Sequence, residues 1–127
     1  MITFFEEKNK SGYASIYETN ITLSSNMLNY LKECYRIRCG IDSDENKIYL
    51  FPLNKDQSLS NEYNIDSLLK PSFSKTYAKI SSSTLIRFIK EQLKFEISPN
   101  KYIKFKCVYD DNKKVIIIDT KEGENVR

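Results

Sequence analysis

The chain has no histidine and no tryptophan among its 127 residues. Without histidine, the Ser-His-Asp and Cys-His nucleophile systems and the imidazole-ligated metal sites are excluded. Only three glycines are present, at positions 12, 40 and 123, so no glycine-rich phosphate-binding loop can form. The acidic residues that come closest to a carboxylate pair lie in two turns, at 42–45 and 110–111, where solvated turn residues are the simpler explanation. We therefore expect a protein that is not an enzyme and that holds no metal and no cofactor.

Cysteine and long apolar runs are also scarce, and the three cysteines are Cys34, Cys39 and Cys107. Their odd number and irregular spacing argue against a disulfide framework. Cys39 and Cys107 fall at apolar positions of strand patterns, which predicts that they act as small core residues. One of the longest apolar runs is 115–118, far below the roughly 20 residues of a membrane span. Acidic residues at 6 and 7 interrupt the apolar N-terminus, unlike a signal peptide, so we expect a cytoplasmic protein with no membrane partner.

The chain does contain enough apolar material for one folded domain. Hydrophobic residues make up 40% of the sequence and charged residues 29%, and nine tyrosines and seven phenylalanines raise the aromatic share to 13%. A soluble globular domain has this balance. The net charge is +3 and the isoelectric point about 8.7, whereas a dedicated nucleic-acid-binding domain more often has a pI above about 9. Nucleic acid is therefore an allowed partner that the composition does not require.

Two stretches of the sequence repeat one order of elements: a strand, a helix and a β-hairpin. The first covers residues 20–53 and the second covers residues 78–120. In each stretch, serines precede a predicted helix with one apolar face, at 26–34 and 84–93. A polar, aspartate-containing turn then joins two alternating strands. Because such small units do not bury their apolar faces alone, we expect the two copies to share one core.

The remaining segments complete the predicted architecture. Residues 13–23 alternate like a single strand, 1–5 resemble a short strand, and 121–127 resemble a frayed tail. Residues 54–77 form a connector that packs partly on the core. We predict an α+β fold in a single domain, 1–127, with antiparallel β-hairpins, two short helices, a pseudo-two-fold internal duplication and a barrel-like core. The predicted core residues are Ile21, Leu23, Leu28, Leu31, Ile37, Cys39, Ile48, Leu50, Ile80, Leu85, Phe88, Ile89, Phe105, Cys107, Ile116 and Ile118.

Basic side chains follow one face of a strand in each copy, where they alternate with apolar residues. The candidate nucleic-acid-binding residues are Arg36, Arg38, Lys94, Lys101, Lys104 and Lys106. If a pseudo-two-fold axis relates the copies, the two arginines and the last two lysines would form a basic stripe suited to a phosphate backbone. Tyr35 or Tyr102 beside them would add stacking or hydrogen bonds. The simpler alternative is the solvated outer face of an antiparallel sheet, which is normally polar.

Equivalent blocks of residues can be set side by side in the two copies. In the first copy they are Ile21-Thr22-Leu23-Ser24, then Met27, Leu28 and Leu31, then Tyr35-Arg36-Ile37-Arg38, then Lys47-Ile48-Tyr49-Leu50. In the second copy they are Lys79-Ile80-Ser81, then Leu85, Phe88 and Ile89, then Tyr102-Ile103-Lys104-Phe105, then Val115-Ile116-Ile117-Ile118. This order of strand, serine-rich cap, helix and hairpin resembles the swapped-hairpin AbrB family, which includes the AbrB, MazE and MraZ-type proteins.

The resemblance implies that two such units interleave their hairpins into one barrel-like domain and present arginine and lysine to DNA. It also implies that both units belong to one chain, as in the MraZ-like members. The chain departs from the family before each helix. The isoleucine-proline pair that is usual there is replaced by Ser24-Ser25 and by Ser81-Ser82-Ser83. Residues 95–100 also separate the second helix from its hairpin.

The leading hypothesis from the sequence is a small, non-enzymatic, cytoplasmic DNA-binding regulator of AbrB-like type, with double-stranded DNA as its partner. The alternative is a protein-interaction module, such as a phage- or plasmid-encoded inhibitor or accessory protein. Small size, the lack of a catalytic set and many tyrosines fit that alternative equally well. A single basic stripe favours DNA, whereas basic residues scattered over opposite faces favour a protein partner. The apolar run at 115–118 is either core or the interface of a homodimer.

Overall fold

The computed structural model describes residues 1–3 and 11–126, and of residues 122 and 124–126 it describes only the backbone. The strands are β1 (Ser11–Ile16), β2 (Asn20–Ser24), β3 (Arg36–Asp42), β4 (Lys47–Leu53), β5 (Pro71–Phe73), β6 (Tyr77–Ser81), β7 (Tyr102–Asp110) and β8 (Val115–Val126). The helices are α1 (Lys55–Ser58), α2 (Ser83–Leu93) and two 3₁₀ helices, η1 (Ser25–Tyr30) and η2 (Ile65–Ser67). No helix in this part of the chain is long and apolar enough to cross a membrane.

The eight strands form one antiparallel sheet that curls into a nearly closed barrel. Its order is β3-β4-β8-β7-β1-β2-β6-β5. The two ends of this order meet at a single bridge, where Ile37 of β3 and Leu69 exchange two backbone hydrogen bonds of 2.8 Å each. The predicted α+β class, the antiparallel hairpins and the barrel-like core are confirmed.

The core fills the inside of the barrel because alternate residues of each strand point inward. Their neighbours point outward, as the period of two requires. The buried core residues include Ala14, Ile16, Ile21, Leu23, Met27, Leu31, Ile37, Ile48, Leu50, Ala78, Ile80, Leu85, Ile86, Ile89, Phe105, Cys107, Ile116 and Ile118. Burying a whole isoleucine or leucine side chain contributes about 1.5–3 kcal/mol, so these residues are the main source of stability.

Helix α2 lies against this core through one side only. Ser82 caps it, accepting a hydrogen bond from the Leu85 N–H at 3.1 Å, and the helix ends at Lys94, whose φ of 54° is left-handed. Its buried residues are Leu85, Ile86 and Ile89. Phe88 is 47% exposed, so the prediction that it belongs to the core is wrong. The apolar stripe of α2 is wider than the surface that packs, and Phe88 stands at its edge. Leu28 and Cys39, also predicted core residues, are only partly buried.

The two hairpins β3–β4 and β7–β8 turn in the same way. In the first, Asp42 Oδ1 accepts the N–H groups of Asp44 and Glu45, both at 3.1 Å. In the second, Asp110 Oδ1 accepts the N–H groups two and three residues later, at 2.9 and 3.2 Å. Each turn then ends in a residue with positive φ, Asn46 at 56° and Lys114 at 52°. Aspartate at the first position closes such turns by bonding its own backbone.

Three predicted elements have different bounds in the structure. Residues 13–23 form a hairpin, β1 and β2, because the chain reverses where the Tyr17 N–H bonds to the Asn20 C=O at 2.8 Å. The predicted helix 26–34 is only the 3₁₀ helix η1. The tail 121–127 is not frayed over its described part, since β8 passes a bulge after Asp119 and pairs with β7 to Val126. The strand expected at 1–5 falls partly outside the described residues.

The connector 54–77 is ordered by its own hydrogen bonds. Asn54 and Gln57 form a reciprocal capping box at the start of α1, with both bonds at 2.8 Å. The buried Ser58 hydroxyl donates to the Asn54 C=O at 2.7 Å. The segment then supplies Leu69, which closes the barrel, and the short strand β5. These residues therefore belong to the barrel rather than to a free tether.

Gly123 is the glycine whose replacement should cost most stability. A Cβ at this position would lie 2.5 Å from a ring carbon of Phe105 and 2.6 Å from a methyl of Ile103, closer than atoms pack. We expect Gly123→Ala to lower the free energy of unfolding in urea by about 1–3 kcal/mol. Gly40→Ala is the control, because nothing lies within 4 Å of its Cβ. Equal effects of the two substitutions would contradict the pairing of the last residues of β8 with β7.

Candidate nucleic-acid interface

The structure keeps the two predicted basic pairs apart. Arg36 and Arg38 lie on β3, whereas Lys104 and Lys106 lie on β7. Strands β4 and β8 stand between them, so the pairs are three strand spacings apart, about 14 Å along the sheet. Of the two flanking lysines, Lys101 directly precedes β7, and Lys94 is the C-terminal cap of α2. The two arginines thus lie close to each other, and so do the two lysines, but the arginine pair and the lysine pair are not neighbours.

The arginine pair is held against nearby tyrosines. The Arg36 guanidinium carbon lies 4.4 Å from the centre of the Tyr35 ring, and its Nη1 donates to the Tyr35 C=O at 2.9 Å. The Arg38 guanidinium carbon lies 5.4 Å from the centre of the Tyr63 ring. Such contacts between cations and ring faces are favourable, and they fix where the positive charge is presented.

The surface between the arginine pair and the lysine pair carries both positive and negative side chains. Across it, Lys106 pairs with Asp119, Asp119 with Lys47, and Lys47 with Asp42, so positive and negative residues alternate along this row. Opposite charges on neighbouring strands attract one another and reduce the net field. The next outward positions are apolar, with the rings of Tyr49 and Phe51 stacked at 6.4 Å. No continuous basic stripe crosses β4 and β8.

A different surface of the barrel combines lysine with tyrosine. It is formed by a group of outward residues of β7, β1, β2 and β6 together with Tyr17, which follows β1, and we call it the lysine–tyrosine face. Its members are Tyr13, Ser15, Tyr17, Asn20, Thr22, Tyr77, Lys79, Tyr102, Lys104 and Lys106. None of these outward positions carries a carboxylate. The acidic residues at its borders are Asp119 and Glu124 of β8, which pair with Lys106 and Lys104, Asp110 at the end of β7, and Glu18 in the turn between β1 and β2.

The strand register sets the spacing of the lysines on this face. Lys104 pairs with Ser15, Ser15 with Thr22, and Thr22 with Lys79, which gives one row across four strands. Lys104 and Lys79 are therefore three strand spacings apart, about 14 Å, with only hydroxyl side chains between them. Lys106 stands one residue pair further along β7. Three positive charges thus occupy a polar surface, and two of them pair with acidic residues of β8 at its border.

The tyrosines of the face are partly exposed and partly paired. Tyr13 and Tyr77 are each 42% exposed, and the Lys104 ammonium lies 4.2 Å from the centre of the Tyr13 ring. Tyr17 and Tyr102 pack against each other with ring centres 4.6 Å apart. Burial raises the pKa of Tyr17, and the neighbouring Tyr102 raises it further, so its hydroxyl stays protonated at neutral pH. It can therefore donate a hydrogen bond to an anion.

Sequence reasoning missed Lys79, Tyr13 and Tyr77 as members of the site. The sequence did carry one signal, since Lys79 stands between the apolar Ala78 and Ile80 as an outward strand residue does. The sequence did not indicate that β6 pairs with β2, because β2 precedes β6 by more than 50 residues in the chain. The reading of 13–23 as one strand also hid that Tyr13 and Thr22 lie on adjacent strands.

The cysteines and carboxylates are possible metal ligands, and the cysteines are also possible nucleophiles. Within the described residues, no group of three or more Cys, Asp or Glu side chains is placed to hold a metal ion. The three cysteines are free thiols, Cys34 and Cys39 partly buried and Cys107 buried. Burial raises the pKa of Cys34 to about 11 and those of Cys39 and Cys107 to about 12.

These raised pKa values predict slow thiol chemistry in the folded protein. At pH 8 the thiolate fraction is lower than for an ordinary thiol by roughly 10²–10³, so iodoacetamide should alkylate the native protein that much more slowly than the urea-unfolded chain. Because the folded pKa exceeds the unfolded one, the thiols reduce stability only as the pH rises from about 9 towards 12. Mass spectrometry at timed intervals measures the rates. Equal rates in both states would contradict the burial of these cysteines.

Comparison with protein-family models, with curated proteins and with solved structures finds no match for this chain. Its function must therefore be argued from its own geometry.

Proposed function

We propose that this chain is a small non-enzymatic regulator that binds DNA through the lysine–tyrosine face. The observation that carries the proposal is the outward surface of β7, β1, β2 and β6, where Lys79, Lys104 and Lys106 stand among hydroxyl groups. The acidic residues of these strands and their neighbours lie at its borders. A phosphate backbone is attracted to such a surface, because each lysine that neutralises a phosphate releases a counterion. Carboxylates, which would repel phosphates, lie only at its borders.

The tyrosines and hydroxyls fit the same partner. Tyr13 and Tyr77 are each 42% exposed, and exposed tyrosine hydroxyls bond to phosphate oxygens. Hydroxyl side chains such as those of Ser15 and Thr22 donate to phosphate oxygens and help to set the position of the backbone. The chain has no histidine, and histidine is the side chain whose ordinary pKa lies between 5 and 8. Binding should therefore change little over that range.

This proposal narrows the set of six basic residues expected from the sequence. Lys104 and Lys106 are central to the lysine–tyrosine face, and Lys101 directly precedes the strand that carries them. Lys79 is added. Arg36 and Arg38 lie beyond β4 and β8 and are assigned no primary contact. Lys94 follows α2 and is likewise left outside the central contacts.

We also infer that the barrel arose from two copies of one unit, as in the AbrB-like family that the sequence resembles. The turns at Asp42 and Asp110 support this, because their hydrogen bonds and positive φ angles recur with the same spacing. Strand pairing supports it too. β2 pairs antiparallel with β6 and β4 pairs antiparallel with β8, so equivalent strands of the two copies meet each other. A two-fold axis produces self-complementary contacts of this kind.

The test is a titration of the purified protein against fluorescein-labelled duplex DNA of random sequence, followed by anisotropy at 50 and 200 mM salt. We expect binding that weakens steeply with salt, since the lysines act through counterion release. Single-stranded DNA and RNA of the same length serve as comparisons. No binding to any of the three at 50 mM salt would overturn the proposal.

A further inference from the structure

Strand β3 lies at one end of the sheet order, and in the part of the chain that the structure describes most of its outer edge is unfilled. The corresponding edge of β7 is covered by β1, which pairs with it at six consecutive positions, from Ser11 to Ile16. Among the described residues, Leu69 covers the edge of β3 where it bridges to Ile37, and no other residue pairs with that edge. The backbone N–H and C=O groups of Ile37 point away from β4, towards Leu69. Backbone groups of successive strand residues point to opposite sides, so those of Cys39 and Ile41 also point away from β4. Beyond the bridge, neither of them pairs with a strand within residues 11–126 through its N–H and C=O.

A cleft of about 490 Å³ lies at this edge. One wall is β3, through Arg38 and Cys39, and the opposite wall is α2, through Leu85 and Phe88. Leu69 and the residues just before it line the end of the cleft. Phe88 is 47% exposed although it belongs to a helix whose neighbouring apolar residues are buried. An aromatic ring left uncovered beside unpaired backbone groups marks a place where a further segment can pack.

We propose that this edge binds an extended peptide segment of a partner protein, which adds a strand to β3 beside residues 39–42 and places an apolar side chain against Phe88. Only a peptide backbone supplies donors and acceptors at the spacing of a strand, so the unpaired edge selects this kind of occupant. The mixed lining fits it as well, since Leu69 and Phe88 offer apolar contact while Arg38 and Ser82 stand nearby as polar groups. The lysine–tyrosine face is formed by other strands, so this site is separate from the DNA site.

The experiment begins by selecting binders to the immobilised full chain from a library of random decapeptides displayed on phage. The dissociation constant of the best synthetic peptide is measured by anisotropy for the wild type and for two variants. Phe88→Ser removes the ring in the cleft. Val108→Ser is the matched control, because Val108 is 45% exposed on the outside of β7. Amide hydrogen exchange of Cys39 and Ile41 is followed by NMR with and without the peptide.

The proposal expects a peptide that binds at least about tenfold more weakly to Phe88→Ser and equally well to Val108→Ser, and that slows exchange at Cys39 and Ile41. It is overturned if no peptide is enriched, or if binding leaves those two amides unchanged. It is also overturned if the amides become protected at high protein concentration without peptide and light scattering shows a dimer, because a second copy then occupies the edge. The variant Lys79→Ala/Lys104→Ala/Lys106→Ala should bind the peptide normally, which separates this result from the fate of the DNA proposal.

Discussion

Replacing Lys79, Lys104 and Lys106 together with alanine is expected to remove most of the affinity for DNA at low salt. The slope of log K against log salt should fall by about 2–3, because each lysine that contacts a phosphate contributes roughly 0.7–0.9 to it. Over the range from 1 M down to 50 mM salt, that change in slope amounts to a loss of roughly 400- to 8,000-fold in affinity at the low-salt end. All three side chains lie on the outside of the barrel, so the variant should fold normally.

The matched control is Lys32→Ala/Lys55→Ala/Lys113→Ala. These three lysines are exposed on the turn after η1, on α1 and on the β7–β8 turn, and none of them is a member of the lysine–tyrosine face. The control removes the same net charge. Equal loss in the two triple variants would mean that only the overall charge of +3 matters. An unchanged slope in the first variant would contradict the assignment of the face.

The arginine pair provides a second comparison. If Arg36→Ala/Arg38→Ala lowers the slope as much as the lysine variant does, the stripe expected from the sequence is the better description of the site. If it leaves the slope unchanged, the contacts belong to β7, β1, β2 and β6. Circular dichroism of each variant shows whether the barrel has remained intact.

The largest expected effect on stability is that of Ile118→Ala. Ile118 is fully buried, and it pairs with Ile48 of β4 where the two hairpins meet. Truncating a buried isoleucine to alanine costs about 2–5 kcal/mol, from the lost burial and the cavity that remains. Urea unfolding measures the change, and the dependence on urea should keep its slope if only the native state is weakened.

Ile117→Ala is the control for that experiment. It deletes the same atoms from the adjacent residue, but Ile117 points outward and is only partly buried. We expect it to cost less than about 1.5 kcal/mol. If Ile117→Ala proved the more damaging of the two, the register of β8 would be shifted by one residue, because such a shift exchanges the inward and outward faces.

The features that the sequence predicted well are those with local causes. The turn at Asp42 and the serine cap of α2 depend on hydrogen bonds to residues within three positions, so their residue types indicate them directly. The sequence did not decide which of the serines 81–83 is the cap, and the structure shows that it is Ser82. The strands β3 and β7 were found because apolar and basic residues alternate along them. The inward residues Ile37 and Phe105 followed from that alternation, and both are buried.

The features that the sequence could not predict depend on distant partners. The β1–β2 turn at residues 17–20 contains neither glycine nor proline, so nothing marked the reversal. The last part of β8 is polar and reads as a tail, yet β7 supplies it with a strand partner. Phe88 was assigned to the core because its spacing fits an amphipathic helix, and only the position of α2 on the barrel leaves it exposed.

The place of β1 between β2 and β7 has a consequence for synthesis on the ribosome. Ala14 pairs with Phe105, which lies 91 residues later (105 minus 14). At about 5–20 residues per second, roughly 5–20 s pass before the second edge of β1 can be covered. During that time the nascent hairpin β1–β2 must remain soluble with one apolar face open. The hairpin is short and its outward residues include serines, a threonine and an asparagine. Both features limit the pairing of another nascent chain with its open edge.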